Sequence, residues 1–178
     1  PISQMIERLT RTSVLGVDVG AAALKLVELA QVSGRPVLRR CLVAACEQGQ
    51  SVDILRQALA TAGMTTAEAA VGLASPELIV KAFALPPMPN KELAGAIRLE
   101  AEQAILNGHA INEMAIDWHV LSRAKESMRG VLAVVPKSVV AERVAMVKAA
   151  GLQPVVIDVA GLALWNAYWT LVGAQAPS

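Results

Sequence analysis

Aromatic side chains are scarce in this chain: three Trp, one Tyr and one Phe stand among 178 residues. That scarcity removes the stacking platform on which single-stranded nucleic acid is held, and a formal net charge of +1 supplies no basic field for a phosphate backbone. Nucleic acid is therefore excluded as a partner. Cysteine and histidine are nearly missing too. Cys41 and Cys46 have no further ligand at zinc spacing, and His109 and His119 stand alone far along the chain, so no zinc site is expected. Neither G-x-x-x-x-G-K-[ST] nor G-x-S-x-G occurs, and there is no fixed-period repeat or low-complexity tract. The opening PISQMIERLTRTS has no apolar signal segment, which makes the cytoplasm the expected compartment, and its start at Pro1 reads as processed or trimmed. Val159 to Ser178 is uncharged, yet Asn166, Gln175 and Pro177 interrupt it and its apolar part falls short of the about 20 residues a membrane span needs.

What is abundant is aliphatic: hydrophobic residues make up 54% of the chain, supplied by Ala, Val, Leu and Ile, a composition suited to α/β layers. The organising stretch is VLGVDVGAAALKLVEL, from Val14 to Leu29. Leu15, Val17 and Val19 alternate with Gly16 and Asp18 in the two-residue period of a strand, and Leu24, Leu26 and Leu29 continue after the turn Gly20-Ala21-Ala22-Ala23. A turn without bulky side chains leaves backbone N–H groups open to an oxyanion. Asp18 then stands where it could hold a hydrated magnesium ion, and Lys25 where it could face a phosphate. A plain buried β-hairpin gives the same pattern.

Further along, Ser33-Gly34 is a turn and Arg35 to Ala45 a third strand. Ser51 is the expected cap of a helix with Leu55, Ala58, Leu59 and Ala62 on its apolar stripe and Gly63 at its end. Ala69 to Ala74 is a short buried strand, and Leu78 to Leu85 runs into the stiff segment Pro86-Pro87-Met88-Pro89. Asn90 is the expected cap of a helix that buries Leu93, Ile97, Ala101 and Ala104 and pairs Arg98 with Glu102. Glu100 and Glu102 read as solvated. Ile116 to Leu121 is a strand with Asp117 and His119 facing solvent, and Gly130 to Val135 is its return strand after a polar tip at Glu126 to Arg129. Ser138 is the expected cap of a helix closed by Gly151, Pro154 to Val159 is a strand, and Gly161 to Val172 is a mostly buried amphipathic helix with Leu162, Trp165, Trp169 and Val172 on one stripe.

The order strand, strand, strand, helix, strand matches the start of the ribonuclease H-like, or actin-like, core. Four segments carry a closer likeness: LGVDVGAAALKLVEL, VKAFALPPMPNKELAGAIRLEAEQAI, IDWHVL, and VLAVVPKSVVAERVAMVKAAGLQPVVIDVAGLALWNA. In this order they resemble the PilM family of type IV pilus assembly proteins, actin-like relatives of FtsA. The resemblance implies an actin-like core subdomain at 14–77 plus 155–178, an inserted smaller α+β subdomain at 78–154 and an N-terminal tail at 1–13. The second actin-like lobe is expected to lie outside this chain. It also implies a cytoplasmic adaptor of the type IV pilus platform, peripheral to the inner membrane, that binds the cytoplasmic N-terminal peptide of a PilN-like bitopic protein in a groove between the two subdomains and works beside other platform proteins. On this chain the groove would be lined by Leu85, Pro86, Met88, Pro89 and Ile97. ATP and Mg would belong to the complete protein, with Asp18, Gly20, Ala21, Ala22 and Lys25 at the phosphates and Asp18 reaching Mg through water. The activity implied is that of an adaptor with at most weak ATPase action.

This sequence departs from the family pattern in three places. Ala21 and Ala22 stand where relatives usually carry hydroxyls, at a cost of about 0.5–1.5 kcal/mol per phosphate hydrogen bond. Asn107-Gly108-His109 replaces an apolar, proline-containing turn. No second DxG and no adenosine-binding glycine pair follows, and half of an ATP clamp does not enclose ATP. Three other readings stay open: the first half of an actin-like phosphotransferase, an FtsA-type filament protein, and the matching adaptor of a type II secretion system. Without a second lobe, Trp165 and Trp169 would leave an apolar surface and favour a homodimer.

Overall fold

The computed structural model describes residues 13–46, 51–105 and 109–172. The expectations for the N-terminal tail, for Asn107 and Gly108, and for Gln175 and Pro177 lie outside them. The elements are β1 Ser13–Val19, β2 Ala23–Val32, β3 Arg35–Ala45, α1 Ser51–Thr61, β4 Glu68–Leu73, β5 Ile79–Leu85, α2 Asn90–Ala104, a 3-10 turn Ile111–Glu113, β6 Met114–Arg123, β7 Met128–Pro136, α3 Lys137–Ala149, β8 Gln153–Val159 and α4 Ala160–Val172. They form two compact units, Pro1–Ala74 with Arg143–Ser178, and Ser75–Glu142.

The first unit is built on a five-stranded sheet ordered β3-β2-β1-β4-β8. β1 is antiparallel to β2 and β2 to β3, whereas β1 pairs with β4, and β4 with β8, in parallel. This is the strand order of the ribonuclease H-like, actin-like core. Its register follows from the two-residue period: Leu15, Val17 and Val19 oppose Glu28, Leu26 and Leu24, so one face of the hairpin is almost wholly apolar. Leu55 and Ala58 of α1, and Val147 of α3 with Leu152, complete that core. Ser33 and Gly34 both take positive φ, 50° and 77°, as a two-residue hairpin turn with right-handed twist requires. Gly63 and Gly151 end α1 and α3 in the left-handed region, with Met64 and Leu152 donating back to the carbonyls of Leu59 and Val147.

Several local expectations need correction. Leu29 does not share the face of Leu24 and Leu26; β2 keeps its two-residue period against β1, and Glu28 and Ala30 are the buried continuation. Asn90 is the first residue of α2 rather than its cap, because its side-chain oxygen accepts from Arg123 Nη2 at 2.6 Å, and Pro89 precedes the helix with no side-chain cap. Ser138 lies inside α3, which begins at Lys137. Val147 and Leu152 pack with Leu15 and Val17 in the core of the first unit. α4 is not mostly buried. Ala160, Leu162, Ala163, Asn166 and Ala167 are half-buried, with Ala160 beside Gly72 of β4, while Leu164, Trp165, Tyr168 and Trp169 are exposed. Trp165 and Trp169 touch edge to face, their ring centroids 5.9 Å apart.

Glu28 is the buried charged residue of the first core. Thr66 Oγ1 donates to its Oε1 at 2.6 Å, Arg40 Nη1 reaches Oε2 at 2.5 Å, and Ser13 lies 3.0 Å from Thr66. The Thr66 hydroxyl, and then the Arg40 guanidinium, hold the carboxyl below its ordinary value against the upward push of burial. A depressed pKa gives stability that is complete above the carboxylate range of the unfolded chain and is lost as pH falls through the folded value. Thr66→Val is expected to cost about 1–3 kcal/mol at neutral pH. Denaturant unfolding repeated below the carboxylate range should show a smaller difference between the variant and the parent chain.

The second unit is a three-stranded antiparallel sheet, β5-β7-β6, with α2 on one face. Phe83, Ile97, Met128 and Leu132 anchor its core, and Asp117 and His119 face solvent. Arg98 and Glu102 pair as expected at 3.8 Å, while Glu100 accepts from Lys81 of β5 at 2.9 Å and ties α2 to the sheet edge. Gly130 of β7 is pinned: a Cβ there would overlap both the Phe83 ring and the His119 carbonyl oxygen. Gly130→Ala should destabilise this unit by about 1–3 kcal/mol or more, since a backbone atom cannot step aside. Gly95 of α2 has open space at its Cβ, so Gly95→Ala should stabilise by about 0.5–1 kcal/mol. Thermal denaturation of the two variants side by side should show these opposite signs.

Candidate functional site

The expected phosphate turn sits at one end of the first sheet. Asp18, one residue before the end of β1, lies directly opposite Lys25 of β2, whose Nζ donates to Asp18 Oδ2 at 2.7 Å. Both side chains are partly exposed, at 36% for Asp18 and 53% for Lys25. The row continues across the sheet. Asp18 pairs with Gly72 of β4, and Gly72 with Asp158 of β8, so two carboxylates flank a position without a side chain. All three residues stand one place before the C-terminal end of a parallel strand, the end of an α/β sheet outside which ligands bind. A Cβ at Gly72 would lie 3.5 Å from Asp18 Oδ1 and 3.5 Å from the Ala160 Cβ, closing the gap. Asp158 also accepts the N–H of Val159 at 2.8 Å, at the entry to α4. Sequence reading placed Asp158 in its strand and gave it no role. The available signal was its position, an acid just before the end of an apolar strand, as at Asp18.

The turn itself is tight. Gly20 N–H donates to Ala23 O at 2.9 Å, so this donor is engaged within the turn, and Ala22 O accepts from Cys46 N–H at 3.1 Å. A Cβ on Gly20 would come within 3.2 Å of Ala23 O. Ala21 and Ala22 are exposed and add no side-chain oxygen. Among the described residues no cluster of three or more His, Cys, Asp or Glu could ligate a metal. The residues present thus fit one carboxylate acting through water on a hydrated ion, with the exposed turn and Lys25 beside it.

The expected peptide-contact residues all fall in the second unit. Leu85 ends β5 half-buried, Pro86 is exposed, and Met88 packs against the core of that unit. Pro89 is exposed, and its carbonyl accepts from the N–H groups of Glu92 and Leu93 at 3.0 and 3.2 Å. With Pro87 these four form one continuous strip of chain. Ile97 lies beneath, wholly buried, so a ligand would meet it only through the residues that cover it. Among the described residues no helix is long and apolar enough to cross a membrane.

A family model described as type IV pilus assembly protein PilM matches residues 16–178. The chain belongs to the PilM family. Among solved structures, this PilM-family chain is similar to the PilM-PilN type IV pilus biogenesis complex, with 26% identity and a TM-score of 0.77 over 90% of its length. It also matches the cytoplasmic domain of EpsL, an inner membrane component of the type II secretion system of Vibrio cholerae, at 17% identity and a TM-score of 0.56 over 82% of its length. The first match covers 51% and the second 56% of the solved chain, so the sequence spans about half the length of these relatives. Among curated proteins, none matches it.

Because the Asp18–Lys25 pair is half in water, it contributes at most about 1 kcal/mol to folding. Asp18→Asn should leave the free energy of unfolding from chemical denaturation within that margin, in contrast to Thr66→Val. A large loss would mean that Asp18 is structural rather than available to a ligand.

Proposed function

We propose that this chain is the partner-binding part of a cytoplasmic adaptor of the type IV pilus platform, held at the inner membrane through the N-terminal cytoplasmic peptide of a PilN-like protein. One observation carries the reading: the PilM family match over 16–178, whose solved relative is a PilM-PilN complex. The strip Leu85, Pro86, Met88 and Pro89 is the proposed contact, with Ile97 supporting it from below. Two prolines on either side of a half-buried methionine give an extended segment that loses little entropy when a peptide lies along it.

In the complete protein, ATP with Mg is proposed to bind at the row described above. Asp18 would orient the hydrated ion, the Gly20-Ala21-Ala22 turn would lie against phosphate oxygens, and Lys25 would neutralise them. The nucleotide supplies charge there, while this chain's share is position and electrostatic balance. Other platform proteins are proposed as neighbours of the assembled adaptor.

The test is calorimetric titration with a peptide copied from the cytoplasmic tail of the PilN-like protein. Saturable binding without nucleotide is expected, about tenfold weaker in Leu85→Ser and unchanged in Asp18→Asn. A folded chain that takes up no peptide would overturn the adaptor reading.

A further inference from the structure

β3 lies at the end of the first sheet, with no strand on its outer side among the described residues. It is long, 11 residues, and its exposed side chains include Val37, Leu38 and Val43, the last at 72%. Edge strands are normally short, covered or charged, because their open N–H and C=O groups pair with any strand that approaches. Here the charge has one sign. β3 carries Arg35, Arg39 and Arg40 and no acid, and only Arg40 is neutralised, by Glu28. Arg35 and Arg39 have no ion-pair partner among the described residues.

Arg39 is the extra residue of the bulge opposite Glu28 and Leu29, and from Arg40 to Ala45 the pairing with β2 is unbroken. That stretch presents a regular free edge. A second copy paired over the full strand is disfavoured, because it would bring the two Arg40 residues opposite each other with Arg39 beside them, and facing like charges are destabilising. A second copy confined to residues 40–45 avoids that clash and is an outcome of the test below.

We infer that the outer edge of β3 is a docking edge for an extended segment of a partner protein in which acidic and apolar residues alternate. Main-chain hydrogen bonds to Arg40–Ala45 would hold the added strand, Val43 would meet its apolar side chains, and Arg35 and Arg39 would select its acids. This surface is separate from the Leu85–Pro89 strip and does not rest on the pilus reading.

The probe is a synthetic peptide of about ten residues alternating valine with glutamate, set against the same peptide carrying lysine. Titrated into the labelled chain, the glutamate peptide should shift amide resonances of residues 35–45 and slow their hydrogen exchange, and the lysine peptide should bind at least about tenfold more weakly. Arg35→Glu with Arg39→Glu should invert that preference, its amide spectrum outside β3 reporting that the fold is kept. Leu85→Ser should leave the binding unchanged, which separates this surface from the pilus peptide. Equal affinity for the two peptides, or no response at β3, would overturn the proposal. So would a concentration-dependent dimer abolished by Val43→Lys, which would assign the edge to a second copy.

Discussion

The first unit depends on the register of β1. This strand runs antiparallel to β2 on one side and parallel to β4 on the other, so it joins two modes of hydrogen bonding within one sheet. A slip of one residue would turn Leu15, Val17 and Val19 out of the core and bring Asp18 in, exchanging three buried aliphatics for an unpaired carboxylate. The same register sets Lys25, Asp18, Gly72 and Asp158 in a row. Core and site are therefore consequences of a single alignment, and neither can shift without the other.

Two acids of one hairpin meet opposite fates for this reason. Glu28 falls in phase with Leu24 and Leu26 and is carried into the core, where Thr66 and Arg40 make its charge tolerable. Asp18 falls out of phase and stays half in water with Lys25 against it. The first is bound by geometry to a structural role. The second is free to exchange its partner at small cost.

Much of this could be read from the sequence, for physical reasons that also mark the limits. The aliphatic alternation of β1, the Ser33-Gly34 turn, the glycine stops at Gly63 and Gly151, and the proline exit at Pro86 are each decided within a few residues, and the fold class followed from their order. Glu28 was legible too, since the period from Leu24 and Leu26 reaches it, but the bulge at Arg39 of β3 was not, because it belongs to cross-strand pairing and leaves no local pattern. Asn90 was misread as a cap because competition for its side-chain oxygen, here from Arg123, is tertiary and leaves no local trace, and Ser138 because its helix begins one residue earlier. The α4 face failed for a related reason. Hydrophobicity puts tryptophan inside, whereas the close approach of the helix start to Gly72 has room for the small Ala160.

The alanines after Asp18 bear on how a phosphate could be held there under the proposed nucleotide role. Without hydroxyls at Ala21 and Ala22, and with Gly20 N–H engaged in the turn, attraction at this end of the sheet falls mainly to Lys25 and to any metal ion beside Asp18. An arriving anion competes with Asp18 for the ammonium, and the pair it must open is exposed and worth little. A hydrated divalent ion approaching Asp18 would replace the positive charge that the lysine withdraws. Under that proposed role the pair would be a resting arrangement that keeps the carboxylate and the ammonium extended and aligned on their strands, and cross-strand placement would allow it without any side-chain oxygen from the turn.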